Sequence, residues 1–183
     1  YPADIQGDAK FCAMLEKQKN GKALMEHFST VEHDGKGFKA VPYNVAYAAE
    51  SEAIAKELDA AAAAITSPDE AAFKAYLTAQ AQGFRTNDWE PGNQAWAAMG
   101  VNNSKWYLRI APDEVYYEPC AWKAGYAVNF SRINKDSVTW QKKLEPVKSE
   151  IVTIDGIDNI IRHSTGHGDG HLSAQYSALT CKP

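Results

Sequence analysis

The sequence has no Cys-x-x-Cys pair, no histidine followed by glutamate, no surplus of basic charge and no long apolar run. Each absence removes a class of function. Without paired cysteines, a zinc ribbon or a thioredoxin-type redox centre is excluded. Without His-Glu there is no HExxH element, in which two histidines bind zinc and the glutamate acts as base for the metal-bound water. With 19 basic and 23 acidic residues the net charge is -4. A nucleic-acid partner is not expected, because affinity for phosphate backbones comes from basic patches. The longest bland stretch, residues 60–65, is mostly alanine, far short of the roughly 20 apolar residues of a membrane-spanning helix.

The 183 residues are 45% hydrophobic and 23% charged, the balance of a globular chain able to build a core. The three cysteines, Cys12, Cys120 and Cys181, are widely spaced. In an exported protein one disulfide and one leftover thiol are expected. A Cys12–Cys181 bridge would close a long loop and constrain the unfolded chain; the alternative is three inert, buried thiols. A chain that starts at Tyr1 fits either a mature protein that has lost its signal peptide or one from which a tag was cut. The expected location is secreted or periplasmic.

Periodicity divides the chain. Asp8 is a plausible N-cap for a first helix through Lys19, closed by Asn20-Gly21, with a second short helix over 23–28. Asp34-Gly35-Lys36-Gly37 is a turn, followed by an extended stretch over 38–43. Tyr47, Ile54, Leu58, Ala61 and Ile65 then recur at helical spacing on an alanine- and glutamate-rich background. Ser67-Pro68-Asp69-Glu70 has the form of a capping box opening a further helix with Phe73, Tyr76, Leu77 and Phe84. These two helices should pack as an antiparallel pair. A short helix is expected over 94–99. From Trp106 the period becomes two, with Trp106, Leu108 and Ile110 on one face and Val115, Tyr116 and Tyr117 continuing the strand. Trp122, Ala124, Tyr126, Val128 and Phe130 align in a second strand, giving a half-buried antiparallel sheet. A helix is expected over 137–148. The fold class is α+β: an N-terminal helical hairpin packed on a small antiparallel sheet, with a β-rich C-terminal tail. Residues 1–150 form one α+β domain, and the Gly/His-rich β tail of 151–183 belongs to it.

Residues 38–150 resemble the N-terminal region of the dipeptidyl peptidase III family of zinc peptidases, in its bacterial branch. The matching pieces are Val41-Pro42-Tyr43 with Ala46-Tyr47, and Phe84-Arg85-Thr86-Asn87-Asp88-Trp89 with Ala95-Trp96. The best match is Ile110-Ala111-Pro112-Asp113-Glu114-Val115-Tyr116-Tyr117-Glu118 with Lys123-Ala124-Gly125-Tyr126. The family removes dipeptides from peptide N-termini with zinc held by an HExxxH element and a later glutamate. Those elements lie beyond the matching region. The resemblance therefore implies a fold element and a peptide-facing surface, and it transfers no zinc ligand and no catalytic acid to this chain.

Two site readings follow. In the first, the chain is a non-catalytic or partial member of that fold which binds peptide or a protein partner, with Tyr107, Tyr116 and Tyr117 stacking on the ligand; cross-strand packing is the competing role for these rings. In the second, it is an exported metal-binding protein. His163, His167 and His171 recur every four residues among glycines and could close around zinc or copper, with Asp169 as a fourth ligand. His163 is followed by serine, so this set has no base for metallopeptidase chemistry. The competing role is a solvated glycine-rich loop. Asp113, Glu114 and Glu118 have the look of paired carboxylates but fit a polar turn better, and Cys120 lacks the neighbouring base that a nucleophilic thiol needs.

Overall fold

The structure, a computed structural model, describes residues 1–147. His163, His167, Asp169, His171 and Cys181 lie outside the described residues, as does the expected β-rich tail. The described part is an α+β arrangement with two small antiparallel sheets.

Its N-terminal portion holds two short helices, α1 (Phe11–Glu16) and α2 (Gly21–Leu24), and a hairpin of β1 (Ser29–His33) and β2 (Phe38–Pro42). The expected turn is the hairpin's tip. Asp34 Oδ1 accepts from the N–H groups of Lys36 and Gly37, and Gly35 takes a φ of 84°, open to glycine without strain. The sequence predicts a helix over 23–28. The helix ends at Leu24 instead, and β1 follows, a strand of five residues too short and too polar to show a clear period.

The long helices are those the spacing predicts. A short helix α3 (Tyr43–Ala46) leads into α4 (Ala48–Ala64), and α5 (Ala71–Thr86) packs back along it. Ala55, Leu58 and Ala62 of α4 meet Phe73, Tyr76, Leu77, Ala81 and Phe84 of α5 in one buried cluster. Small residues on α4 let the two backbones close together. Arg85, at the end of α5, reaches back to Glu52 (2.9 Å) and Asp59 (2.8 Å), holding the pair in register. Asn87 ends α5 in the left-handed region at φ 63°, a role asparagine fills after glycine. Gly83 is required by packing, since a Cβ there would stand 2.9 Å from the indole of Trp89.

The expected capping box does not form. Ser67 makes no side-chain cap, and Glu70 turns inward. Its carboxylate accepts from Ser104 Oγ (2.8 Å) and from the Lys105 N–H (2.9 Å), tying the start of α5 to the start of the next sheet. A tertiary partner outcompetes the local one because it satisfies a buried carboxylate.

Helix α6 (Glu90–Ala97) starts four residues earlier than the apolar spacing indicates. Asp88 accepts from the Glu90 N–H and Pro91 occupies the first turn, both N-terminal signals. Strands β3 (Trp106–Glu114) and β4 (Gly125–Arg132) then form a two-stranded ribbon. Ile133 N–H donates to Lys105 C=O, so Tyr107, Arg109 and Ala111 occupy hydrogen-bonded positions and the even-numbered residues between them do not. Pro112 sits opposite Tyr126 at a position that needs no N–H within the ribbon. On β3 the outward N–H of Ile110 donates to the Tyr76 hydroxyl, 3.0 Å away, fastening β3 to α5. Leu108 and Ala111 complete the main core.

Two expectations about this sheet change. The strand ends at Glu114, and Val115, Tyr116 and Tyr117 lie beyond it rather than continuing it. The second strand is exposed along its whole length rather than half-buried. Helix α7 (Lys135–Leu144) follows, with the Asn134 side chain accepting from the Asp136 N–H.

Cys12 pairs with Cys120, not with Cys181; their Cα atoms are 5.4 Å apart. Phe11, Leu15, Leu24 and Val31 form a second buried cluster, and both cysteines pack against it. Packing brings the two thiols together, where nearness to the chain ends suggested a different pair.

Candidate functional site

The ribbon and the segment joining its strands hold the residues singled out in the sequence, and most of them do structural work. Glu118 folds the connection. Its carboxylate accepts from the N–H groups of Cys120 (3.0 Å), Trp122 and Lys123 (2.9 Å). Burial raises its pKa, but these three donors outweigh it and hold the carboxyl below its ordinary value. Ala121 in this tight loop takes a positive φ of 53°. Asp113 is paired with Arg109, whose Nε lies 2.7 Å from Oδ2 and whose Nη2 meets Oδ1. Neither carboxylate is therefore free for acid–base work, in line with the polar-turn reading.

The Lys123-Ala124-Gly125-Tyr126 stretch is a knot. Lys123 is buried, and its Nζ donates to Leu24 C=O (2.6 Å), Glu26 C=O (2.7 Å) and Ser29 Oγ (2.9 Å). Burial pulls its pKa down to about 8, with the carboxylates of Glu118 and Glu26 opposing the shift. Ala124 donates to His27 C=O (3.0 Å) and accepts from the Tyr43 hydroxyl (2.9 Å). Tyr126 stacks on Phe84 with ring centres 5.6 Å apart and meets Trp89 edge-on.

The three predicted tyrosines do not converge. Tyr107 is half-buried near the start of β3, its ring edge-on to Trp96 at 6.2 Å. Burial raises the pKa of its hydroxyl, which stays neutral and able to donate. Tyr116 and Tyr117 lie past the other end of the strand, a separation of roughly 24 Å for seven residues at about 3.4 Å each. They are strongly exposed, at 62% and 78%, with ring centres 4.4 Å apart. The hydrogen bond between the two hydroxyls pushes Tyr116 up to about 12.

Beside Tyr107 is a cavity of about 340 Å³, between the end of α6, the loop after it, the start of β3 and the flank of α7. Its walls are Trp96, Met99, Trp106, Tyr107 and Ile133, with Asn102 and Gln141 as polar groups. Among the described residues, no charged side chain lines it. On the far side of the site, the Arg109 guanidinium stacks on the Trp96 ring at 5.1 Å, which fixes the indole that walls the cavity. An apolar pocket of this size with two or three hydrogen-bonding groups at its rim suits an uncharged side chain better than an anion or a metal ion. Sequence reasoning found Tyr107 and missed the rest, because Met99, Ile133 and Gln141 come from separate elements and carry no shared motif.

Apolar exposure is concentrated in the same region. Of the nine large hydrophobic residues that are exposed among the described residues, seven fall between positions 106 and 140: Trp106, Tyr116, Tyr117, Tyr126, Val128, Phe130 and Trp140. Trp106 and Phe130 stack across the ribbon with ring centres 5.4 Å apart. Such clustering marks an interaction surface more often than scattered exposed residues do.

No protein-family model matches this sequence, and no curated protein matches it. Two solved structures share its fold. One is a dipeptidyl-peptidase III from Corallococcus sp. strain EGB, at 24% identity and a TM-score of 0.63, covering 80% of this chain and 27% of that one. The other is a DPP III from Caldithrix abyssi, at 22% identity and a TM-score of 0.67, covering 79% of this chain and 27% of that one. The chain thus has the fold of part of a dipeptidyl-peptidase III and spans about a quarter of the length of these structures.

Proposed function

We propose that this chain is a non-catalytic or partial dipeptidyl-peptidase-III-like protein that binds a peptide or a protein partner. The observation that carries the reading is the uncharged, aromatic-walled cavity beside Tyr107, opening next to the exposed Trp106–Phe130 stack. An apolar side chain of the ligand would enter the cavity, with Asn102, Gln141 and the Tyr107 hydroxyl offering hydrogen bonds at its rim. Tyr116 and Tyr117 would meet a more distant part of a long ligand. The Cys12–Cys120 disulfide supports a secreted or periplasmic setting, since such bonds persist in oxidising compartments. A metallopeptidase reaction would need ligands from another chain or from sequence beyond these residues.

The test is a tryptophan-fluorescence titration with tetrapeptides carrying one leucine or phenylalanine. Saturable binding is expected in the micromolar to millimolar range. Trp106→Ala should weaken it about tenfold, an effect of about 1.4 kcal/mol. Tyr117→Ala should leave short peptides unaffected and weaken only longer ones. If no tetrapeptide changes the fluorescence and no second chain co-purifies, the reading is wrong.

A second reading rests on the sequence alone. His163, His167, His171 and Asp169 would bind zinc or copper, with affinity falling as the imidazoles protonate below about pH 6.5. Untagged protein should then carry close to one equivalent of metal, lost in the triple His→Ala variant. Equal metal content in both proteins would rule this out.

A further inference from the structure

Strand β4 has one edge that none of the described residues covers. Its odd-numbered residues point their backbone groups at β3, as the pairing of Ile133 with Lys105 sets the alternation. The N–H and C=O groups of Tyr126, Val128, Phe130 and Arg132 therefore face outward, and among the described residues nothing pairs with them. Both ends of this free edge are fixed. Before it, the outward groups of Ala124 are taken by His27 C=O and by the Tyr43 hydroxyl. After it, Asn134 caps α7 and the strand is over. The corresponding edge of β3 is fastened to α5 through Ile110 and the Tyr76 hydroxyl.

An edge of this kind invites another strand, and proteins usually blunt one with proline, charge or a covering element. Strand β4 has no proline, and its one charged residue, Arg132, is at the end. All its residues are exposed, the apolar Val128 and Phe130 by 69% and 61%.

We propose that a second copy of this chain adds its own β4 to this edge, antiparallel and about a two-fold axis at Asn129, so that the two ribbons join into one four-stranded sheet. The edge selects this occupant because it is complementary to itself. The outward residues Tyr126, Val128, Phe130 and Arg132 are centred on Asn129, so the edge pairs over its full length with its own image. Tyr126 then stands opposite the partner's Arg132, and Val128 opposite the partner's Phe130. Each opposed pair of outward residues exchanges two hydrogen bonds, about eight in all, within the roughly 5–15 of a typical interface. The two Val128–Phe130 pairs are of the β-branched and aromatic type that stabilises cross-strand neighbours. Arg132 faces a tyrosine and not a second arginine, so no like charges meet across the ladder. A self-complementary patch on a two-fold axis is the commonest way for identical chains to associate. Four opposed pairs make a small interface, so a dissociation constant of about 10–100 μM is expected. Strand β4 does not line the Tyr107 cavity, and the dimer does not depend on peptide binding there.

Sedimentation equilibrium and hydrogen exchange of the full chain, from about 1 μM to about 1 mM, test it. The mass should rise from one chain to two across that range. The Val128 and Phe130 amides should exchange at least about tenfold more slowly at the upper concentration, while those of Asn129 and Ser131, which face β3, stay slow throughout. Asn129→Cys, made together with Cys181→Ser to remove the third cysteine, should give a disulfide-linked dimer under a mild oxidant. Position 129 stands opposite itself across the axis, with Cβ atoms about 4.5–5.5 Å apart. Val128→Pro removes an outward N–H and none that faces β3, and Phe130→Lys puts a charge into the apolar pair. Each should weaken the dimer more than tenfold. A chain that keeps the mass of one copy at 1 mM overturns the proposal. So does a dimer that both substitutions leave intact, which puts the interface elsewhere. Protection of Val128 and Phe130 that does not change with concentration overturns it too, since the edge is then covered within one chain.

Discussion

Replacing Cys12 and Cys120 together by alanine is expected to lower the unfolding free energy by about 4–5 kcal/mol, the chain-entropy value for a loop of about 100 residues. The two cysteines are 108 positions apart, so the bond removes a large set of conformations from the unfolded chain. It also joins α1, through the cluster of Phe11, Leu15, Leu24 and Val31, to the Glu118 loop that precedes β4. At about 2–4 °C per kcal/mol for a chain of this size, the melting temperature should fall by roughly 10–15 °C. The unsubstituted protein in reducing buffer should melt with the variant. The measurement is chemical denaturation with and without reductant. A loss below about 1 kcal/mol would show that the native state is strained by the bond or that the unfolded chain is already compact.

The same structural logic separates what the sequence displays from what it hides. The α4–α5 pair is legible because Ile54, Leu58 and Ile65 on one helix and Phe73, Tyr76, Leu77 and Phe84 on the other recur at helical spacing, a period that needs no partner to be seen. The buried face of α4 is nonetheless the adjoining one of Ala55, Leu58 and Ala62, and Tyr47 and Ala61 are exposed. The β3–β4 pairing is legible from its period of two. Glu70 is not legible. Its spacing from Ser67 is that of a local cap, and its real partners are 34 and 35 residues away. The Cys12–Cys120 bond is hidden for a related reason: three cysteines permit three pairings, and only the packed cluster selects one. Tyr116 and Tyr117 extend the β-rich pattern on paper, but the Glu118 loop needs its own backbone donors and draws the chain out of the strand.

The candidate site follows that division. Tyr107 is visible as an aromatic on a strand. Its cavity exists only once the end of α6 and the flank of α7 are brought beside it, and neither Met99 nor Gln141 announces such a role. The Lys123–Tyr126 stretch carries the likeness to dipeptidyl-peptidase III, and in it the Lys123 and Tyr126 side chains and the Ala124 backbone hold the fold together. A motif can mark the place where a fold is tied together as readily as the place where it acts.

That tie predicts the second large effect. Lys123→Met should cost about 3 kcal/mol at pH 7. The ammonium supplies one N–H to each of three acceptors, Leu24 C=O, Glu26 C=O and Ser29 Oγ. Methionine fills a similar volume and takes the donor from Leu24 C=O and Ser29 Oγ, at about 1–3 kcal/mol for each buried acceptor, while Glu26 C=O keeps the Ser29 hydroxyl as a donor (3.0 Å). Removing the charge also removes its desolvation penalty, the same penalty that lowers the pKa to about 8, and this recovers part of the loss. The unsubstituted protein should show the complementary pH dependence. Below about pH 8 Lys123 is protonated in both states, and stability does not change on its account. From about pH 8 to about 10.5 the unfolded chain still holds the proton that the folded chain has released, so stability rises with pH, by at most about 3 kcal/mol. Above about pH 10 the tyrosines reverse the slope. Burial pushes Tyr43 up to about 12 and raises Tyr126 as well, so the folded chain keeps protons that the unfolded chain gives up, and stability falls. Urea denaturation at intervals from pH 7 to 11 should therefore trace a maximum near pH 10. Lys123→Met should abolish the rising limb and retain the falling one. A variant within about 1 kcal/mol of the parent at pH 7, or a rising limb that persists without the lysine, would mean that water satisfies the acceptors left without a donor and that the ammonium is not what holds β1 to the ribbon.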